Sequence, residues 1–288
     1  MVQLTCTRES LDLNKIDEQP FKFTHTLTDH PALQLDNLGK VLPRLPKGHV
    51  FYSAGLKHTD NFDRAHIEKS NGLSIEETLE RIRTSNAYIM VRAPEQDESF
   101  RGLFNDLVAD MNKLTVARGL GQCTNGSMLY LFIASPNSIT PFHFDRYSTV
   151  LFQFRGQKTI WVAPPWDERV ISTPDTEAFA ARAGSRPMWK PELESLGTQF
   201  HFSPGEALHI PFVSGHYVQN GADDVSISMS IIFNTRDTGR QLNALEFNHM
   251  MRSSGWSPSK VGRSKMRDSL KSSMCRVVRL TKRRANRD

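Results

Sequence analysis

The sequence predicts a mainly β fold, a sandwich or barrel of short strands with helices on either flank. Two observations carry this expectation. Between Met128 and Phe233 short apolar runs recur at close intervals, each bounded by Gly, Pro, Ser or Asn, which is the rhythm of short strands joined by turns. On both sides of that region the apolar spacing changes to the three-and-four pattern of helices. A chain of 288 residues can bury one elaborated core or two small ones. We divide it into an N-terminal α/β elaboration (1–125), a β core (126–234) and a C-terminal helical segment with a basic tail (235–288).

Taken in order, residues 1–19 are polar and are expected to be loosely held. Phe21 to Leu27 alternates like a half-buried strand. Leu33 to Leu42 is helical in pattern and stops before Pro43, and His49 to Ser53 is a short strand. Ser74-Ile-Glu-Glu77 is a capping box followed by the stripe Ile75, Leu79, Ile82. Ala87 to Val91 is a strand. Phe100, Leu103, Phe104, Leu107, Val108, Met111 and Leu114 hold helical spacing for about four turns, so this stripe faces the core. Met128 to Ala134 opens the strand-rich region. Ser148 to Phe154 and Lys158 to Ala163, separated by Arg155-Gly156-Gln157, predict a hairpin. Residues 166–197 show no strong period and form an irregular insertion, long enough to be functional. Strands resume at Thr198–Phe202, Ala207–Pro211, His216–Gln219 and Val225–Phe233. Beyond Asn234, Leu242, Leu245 and Met250 suggest a helix, broken at Gly255–Ser259. A basic helix follows, with the seam Met266, Leu270, Met274 and Val277.

The charge is unevenly placed. The chain carries a net +5, but residues 252–288 hold twelve Lys or Arg against two Asp, a net +10, which leaves −5 for residues 1–251. The basic character therefore belongs to the tail. Three scattered cysteines, Cys6, Cys123 and Cys275, with no Cys-x-x-Cys, argue against a disulfide framework or a zinc ribbon. The N-terminus has no apolar h-region, and no apolar run approaches the ~20 residues of a membrane span. The expectation is a soluble, cytoplasmic protein without a transmembrane segment.

His143 and Asp145 lie two residues apart, a spacing that puts both side chains on one face of a strand. An imidazole and a carboxylate aimed into one cavity make two-thirds of a facial metal site if a second histidine joins them. The favoured partner is His216, presented by a Gly-containing turn after the apolar strand Ala207–Pro211. His209, inside that strand, and His201, alternating with Phe200 and Phe202, are the competitors. Both read more simply as strand residues.

The ordered set Thr140-Pro-Phe-His-Phe-Asp145, Phe154-Arg-Gly-Gln-Lys158, Pro164-Pro165, Pro204-Gly205, Ile210-Pro211 and Gly215-His216 resembles the JmjC, or cupin-like, iron(II)- and 2-oxoglutarate-dependent oxygenases. The order and spacing are similar to the branch that includes the asparaginyl hydroxylase of the hypoxia pathway. The resemblance covers about residues 126–234, is looser over the flanking helices and is absent from the basic tail. It implies a double-stranded β-helix (jelly roll) with Fe(II) at its open end, 2-oxoglutarate as cosubstrate and O2 as oxidant. It implies His143, Asp145 and His216 as the metal triad. Lys158, fifteen residues after His143, matches the lysine for the distal carboxylate of 2-oxoglutarate, and Thr140 matches a hydroxyl for the same group. Tyr130 is a further contact. Thr149 and Ser230 stand where some relatives have asparagines near the metal-bound end of the cosubstrate, so the surroundings of the triad depart from the family there.

Three functions follow in order of preference. The first is hydroxylation of a side chain of a protein, peptide or carrier-bound amino acid, with succinate and CO2 as co-products and without demethylation. The second applies the same chemistry to a small free metabolite. The third is a cupin without oxygenase turnover, an isomerase or a binding module. Asp145 and Lys158 count against the third, because such cupins use more histidines with a glutamate. The insertion 166–197, with Trp166, Phe179, Met188 and Trp189, is the expected determinant of substrate choice. The basic tail admits nucleic acid, an acidic membrane or an acidic partner, and residues 242–251 admit a homodimer, since helices after the barrel pair in some relatives.

Overall fold

The computed structural model describes residues 2–46, 48–64, 72–123 and 126–285. Among the described residues eleven strands run in chain order as β1 (Phe21–Thr24), β2 (Val50–Ala54), β3 (Ala87–Arg92), β4 (Met128–Ala134), β5 (Ile139–His143) and β6 (Ser148–Arg155). They continue as β7 (Lys158–Val162), β8 (Thr198–Phe202), β9 (Glu206–Ile210), β10 (His216–Asn220) and β11 (Ser226–Phe233). The α-helices lying wholly within the described residues are α1 (Leu35–Val41), α2 (Ile75–Glu80), α3 (Glu98–Ala117), α4 (Thr173–Ala180), α5 (Arg236–Ser253) and α6 (Lys265–Ala285).

The strands form two antiparallel sheets, of seven strands in the order β1-β9-β6-β11-β4-β3-β2 and of four in the order β5-β10-β7-β8. One buried cluster joins them: Leu151, Leu208 and Ile210 of the large sheet meet Ile160, Val162, Phe202 and Val218 of the small one. This is the jelly-roll arrangement, with helices outside. Strand alternation decides which residues face which side. In β11, Ile227, Met229, Ile231 and Phe233 point outward into the core shared with α3, while Ser228, Ser230 and Ile232 line an inner cavity. The helix α3 covers that outer face with Phe100, Leu103, Leu107, Met111 and Leu114, all buried. Each such side chain contributes about 1.5–3 kcal/mol by leaving water.

Several expectations need correction. Strands β6 and β7 are not a hairpin: β6 pairs with β9 and β11, and β7 with β8 and β10. The turn at Gly156 carries the chain from one sheet to the other. Gly156 has φ +67°, and a Cβ there would come within 2.6 Å of the Val225 carbonyl oxygen, so the corner needs glycine. The insertion 166–197 is not wholly irregular. It contains α4, capped by Ser172, and a 3-10 segment, Pro191–Leu196. Eight residues with only a weak apolar stripe leave little period to read. Residues 2–19 are tied down: Leu4, Cys6 and Ile16 are buried, and the amides of Thr5 and Cys6 donate to the carboxylate of Asp110 at 2.9 and 2.8 Å.

The C-terminal helices pack together, but α6 is turned unexpectedly. Asp268, Ser272 and Cys275 are buried, whereas Met266, Leu270, Met274, Val277 and Leu280 are exposed. The apolar seam meets solvent alongside Lys265, Arg267, Arg276 and Arg279, which are exposed as well. Among the described residues no helix is long and apolar enough to cross a membrane.

Candidate metal and cosubstrate site

The two sheets enclose a cavity of about 390 Å³. Tyr130, Thr140, His143, Asp145, Lys158, His216 and Ser230 all line it, together with Thr149. Their convergence follows from register. Strand β10 lies between β5 and β7 and sends His216, Val218 and Asn220 inward. His216 sits opposite His143, and Asn220 opposite Lys158. Across β5 the register slips: His216 faces His143, but Val218 faces Thr140. This bulge falls at Pro141, which has no N–H to give a ladder. It lets Thr140 and His143, three apart, share one face while Phe142 turns into the outer core. Asp145 lies two residues past the end of β5. The alternation persists there, since Phe144 between the two is fully buried on the opposite side.

One nitrogen or oxygen each of His143, Asp145 and His216 lie within 4.8 Å of one another. The Nδ1 atoms of the two histidines lie 2.8 Å from the Pro141 carbonyl and 3.0 Å from the Ser214 carbonyl. Each Nδ1–H donates to its carbonyl, which fixes the tautomer and leaves Nε2 with a free lone pair toward the cavity. Burial holds both histidines below the ordinary imidazole pKa, His143 well below, where the neighbouring His216 adds to the effect. Both are therefore neutral near pH 7. For Asp145, burial alone would raise the carboxyl pKa, but its electrostatic neighbours, His143 first and then Arg186 and His216, together with the Arg186 hydrogen bond, outweigh it and hold it low.

His209 is not part of this group. Its Nδ1 donates to the Thr149 carbonyl at 3.1 Å and its Nε2 accepts from the Asp17 amide at 3.0 Å, so neither nitrogen is left for a ligand. His201 is exposed, and its Nδ1 lies 3.2 Å from the Thr159 hydroxyl. The turn before His216 is tight. Val213, β-branched, is held at φ +56°, a conformation such residues rarely adopt. A Cβ on Gly215 would come within 2.6 Å of the Phe142 ring, so glycine is required where β10 begins.

Lys158 is buried in the cavity wall. Its Nζ donates to the Ser228 hydroxyl at 2.7 Å, and among the described residues no carboxylate pairs with it. Burial pulls its pKa down to about 7. Nearby, Thr149 Oγ1 is buried and has no hydrogen-bond partner among the described residues. The cavity thus carries an unpaired cation and an orphaned hydroxyl, both suited to an anionic, oxygen-rich guest.

Four residues absent from the sequence reading complete the site. Arg186, in the insertion, donates from Nη2 to Asp145 Oδ1 at 3.2 Å and from Nε to the Phe144 carbonyl at 2.8 Å, and it pairs with Asp63. Asp145 Oδ2 is left facing His216 Nε2 at 4.0 Å. Phe62 stacks on the His143 ring at 4.1 Å and 12° and lies under the Arg186 guanidinium. Tyr88 is hydrogen-bonded to Thr140, and Ser228 holds Lys158. Tyr88 and Ser228 could have been found from strand alternation, since they share faces with Met90 and Ser230. Arg186 and Phe62 carry no local signal, because they reach the site only through the tertiary fold. Of the insertion, Arg182 and Arg186 line the cavity, whereas Trp166, Phe179, Met188 and Trp189 do not. Phe179 packs on Phe144 and Trp189 on Trp161.

Fold and site together define a jelly roll with a two-histidine, one-carboxylate cluster lining its inner cavity. The sequence matches the family described as a cupin-like domain over residues 18–239, and the chain belongs to that family. Among solved structures, an X-ray structure of ycfD from Escherichia coli superposes with a TM-score of 0.50 at 13% identity, covering 91% of this chain and 62% of that one. A structure described as YcfD, a ribosomal oxygenase from Escherichia coli, in complex with cobalt and 2-oxoglutarate gives 0.48 at 13% identity, covering 91% and 61%. At such identities the likeness is one of fold. The chain spans about 62% of the length of the first of these. No curated protein matches the sequence.

Proposed function

We propose that this chain is an Fe(II)- and 2-oxoglutarate-dependent oxygenase that hydroxylates a C–H bond of a protein, peptide or carrier-bound amino-acid side chain. The observation that carries this reading is Lys158, a buried cation without a carboxylate partner, in the same cavity as the His143–Asp145–His216 cluster. A cupin isomerase has no use for a desolvated lysine at that position, whereas a dianionic cosubstrate needs one.

The residues fit the iron. Two neutral imidazoles with free Nε2 atoms and one carboxylate leave open positions on an octahedral ion. When bound, iron(II) with 2-oxoglutarate and O2 supplies an oxidative decarboxylation in which one oxygen atom enters the C–H bond and the other enters succinate, with release of CO2. The chain's own residues orient the reactants. Lys158, Thr140 and Tyr130 hold the distal carboxylate, with Ser228 and Tyr88 fixing Lys158 and Thr140 in turn. Ser230 and Thr149 offer hydroxyls along the rest of the cosubstrate. Phe62 covers His143 and keeps water from that side. The direct test supplies Fe(II), O2 and 2-oxoglutarate to the purified protein and measures succinate. Metal-dependent succinate release supports the reading, and its absence at every metal and cosubstrate concentration contradicts it.

A pH dependence follows. Lys158 is charged only below about pH 7 in the free protein, and a bound dianion favours its charged form. Binding of 2-oxoglutarate is therefore strongest below pH 7 and weakens toward a slope of about tenfold per pH unit above it. Calorimetry at pH 8 in two buffers of different ionisation heat should register uptake of close to one proton, and at pH 6 almost none. A flat profile would count against Lys158 as the anchor.

Arg186 has its own expected outcome. It holds Asp145 Oδ1, leaving Oδ2 for the metal. Arg186→Gln should weaken Co(II) binding by about 10–100-fold, the usual cost of losing a group that orients a ligand. Arg186→Lys should recover part of the loss. Unchanged Co(II) affinity in Arg186→Gln would remove the orienting role.

A further inference from the structure

We propose that the cavity mouth recognises an anionic group, a carboxylate or a phosphate, on the molecule that is oxidised, through the guanidinium groups of Arg146 and Arg182. This deepens the oxygenase reading and rests on it.

The two arginines are built around one carbonyl. Arg146 Nε donates to the Phe179 carbonyl at 2.8 Å, and the Arg182 amide donates to the same oxygen at 3.0 Å. The Arg146 guanidinium also lies 4.1 Å over the Phe179 ring, and its backbone carbonyl accepts from Asn234 Nδ2 at 3.0 Å. Its position is thus set before any ligand arrives, and among the described residues its terminal amines have no hydrogen-bond partner. Arg182 follows the end of α4 at φ +58° and is exposed. Both side chains line the cavity, and Arg182 and Arg186 are near enough for their charges to bear on Arg146.

Charge decides what fits there. Residues 1–251 carry a net −5, yet among the described residues the cavity lining holds Arg92, Arg146, Lys158, Arg182 and Arg186 against the single acid Asp145. With iron(II) and the 2-oxoglutarate dianion in place, Asp145, Lys158 and the Arg186–Asp63 pair bring the deep site to neutrality. Arg92 feels Glu95. Among the described residues Arg146 and Arg182 form no ion pair, and Glu246, which feels Arg182, is engaged by Arg279. Holding like charges together at a concave, partly apolar mouth is unfavourable unless an anion joins them. A planar guanidinium with free amines takes carboxylate or phosphate oxygens in pairs.

The test is calorimetric and needs no turnover. Mn(II)-loaded protein is titrated with N-oxalylglycine, an unreactive analogue of the cosubstrate, and then with three probes: inorganic phosphate, N-acetylglutamate amide, and the neutral N-acetylglutamine amide. The expected result is binding of at least one anion and not of the neutral probe. Arg182→Gln, an exposed position, and Arg146→Gln should each weaken that anion about tenfold. Preference between the two anions identifies the group as phosphate or carboxylate. Equal binding of the neutral probe, unchanged anion affinity in Arg182→Gln, or no binding of either anion at tens of millimolar would overturn the proposal. Failure of the oxygenase reading would be seen separately, as absence of N-oxalylglycine binding. The three probes then titrate the arginines on the Mn(II) protein alone.

Discussion

Asp145→Ala should abolish metal-dependent succinate formation, with a loss on the order of 10³-fold or more, the scale seen when one member of a group that acts as a unit is removed. Among the described residues Asp145 supplies the only carboxylate in the cavity lining, and without it the two imidazoles hold a divalent ion weakly and place no negative charge on it. The fold should survive. The Asp145 side chain is 26% exposed, and Arg186 keeps its contacts with Asp63 and the Phe144 carbonyl. Loss of a partly exposed ion pair costs at most about 1 kcal/mol. The measurement is therefore paired: succinate release and Co(II) affinity should collapse, while the thermal midpoint shifts by only a few degrees. Normal turnover in this variant would exclude the triad.

Lys158→Met should move two quantities in opposite directions. Affinity for 2-oxoglutarate should fall about 10²–10³-fold, the range for truncating one side of a buried, hydrogen-bonded charge pair. Stability of the unliganded protein should rise. Burial lowers the lysine from 10.5 to about 7, which corresponds to a cost of about 5 kcal/mol for keeping the charge inside. Methionine has similar length and no charge. Part of the gain is offset because Ser228 Oγ loses its donor, at about 1 kcal/mol. The sign with pH is defined. Between about pH 7 and 10.5 the unfolded chain binds more protons than the folded one, so the wild type gains stability as pH rises through that window. The advantage of Lys158→Met should be largest at and below pH 7 and should shrink above it. A buried charge retained at such a cost is the pattern of a site kept for binding rather than stability.

Much of the architecture could be read from local pattern, because strand alternation and helix stripes are local. Strands Met128–Ala134, Thr198–Phe202 and the long helix behind Phe100–Leu114 fall within a few residues of their expected bounds. Pairing was less legible. Lys158–Val162 follows Ser148–Arg155 after two residues, yet the two belong to different sheets, and nothing in either segment names its partner. The same limit applied at the site. Tyr130, Thr140, Lys158 and Ser230 line the cavity with the triad residues because each sits on a strand whose alternation aims it inward. Their roles are what the experiments above test. Arg186 comes from a segment with no period and acts through contacts to Asp63 and Asp145 far away in sequence. The seam on α6 was visible as a pattern, but its outward orientation depends on the polar packing of Asp268, Ser272 and Cys275 against the rest of the chain.

The central claim is that one cavity holds a metal through His143, Asp145 and His216 and a dianion through Lys158. It is tested most directly by titrating 2-oxoglutarate into the Mn(II)-loaded protein, the metal-free protein and Mn(II)-loaded Lys158→Met. The account predicts one equivalent bound to the loaded wild type, with binding strongly reduced without metal and in the variant. Absence of binding in the loaded wild type, or equal binding in all three, would contradict it.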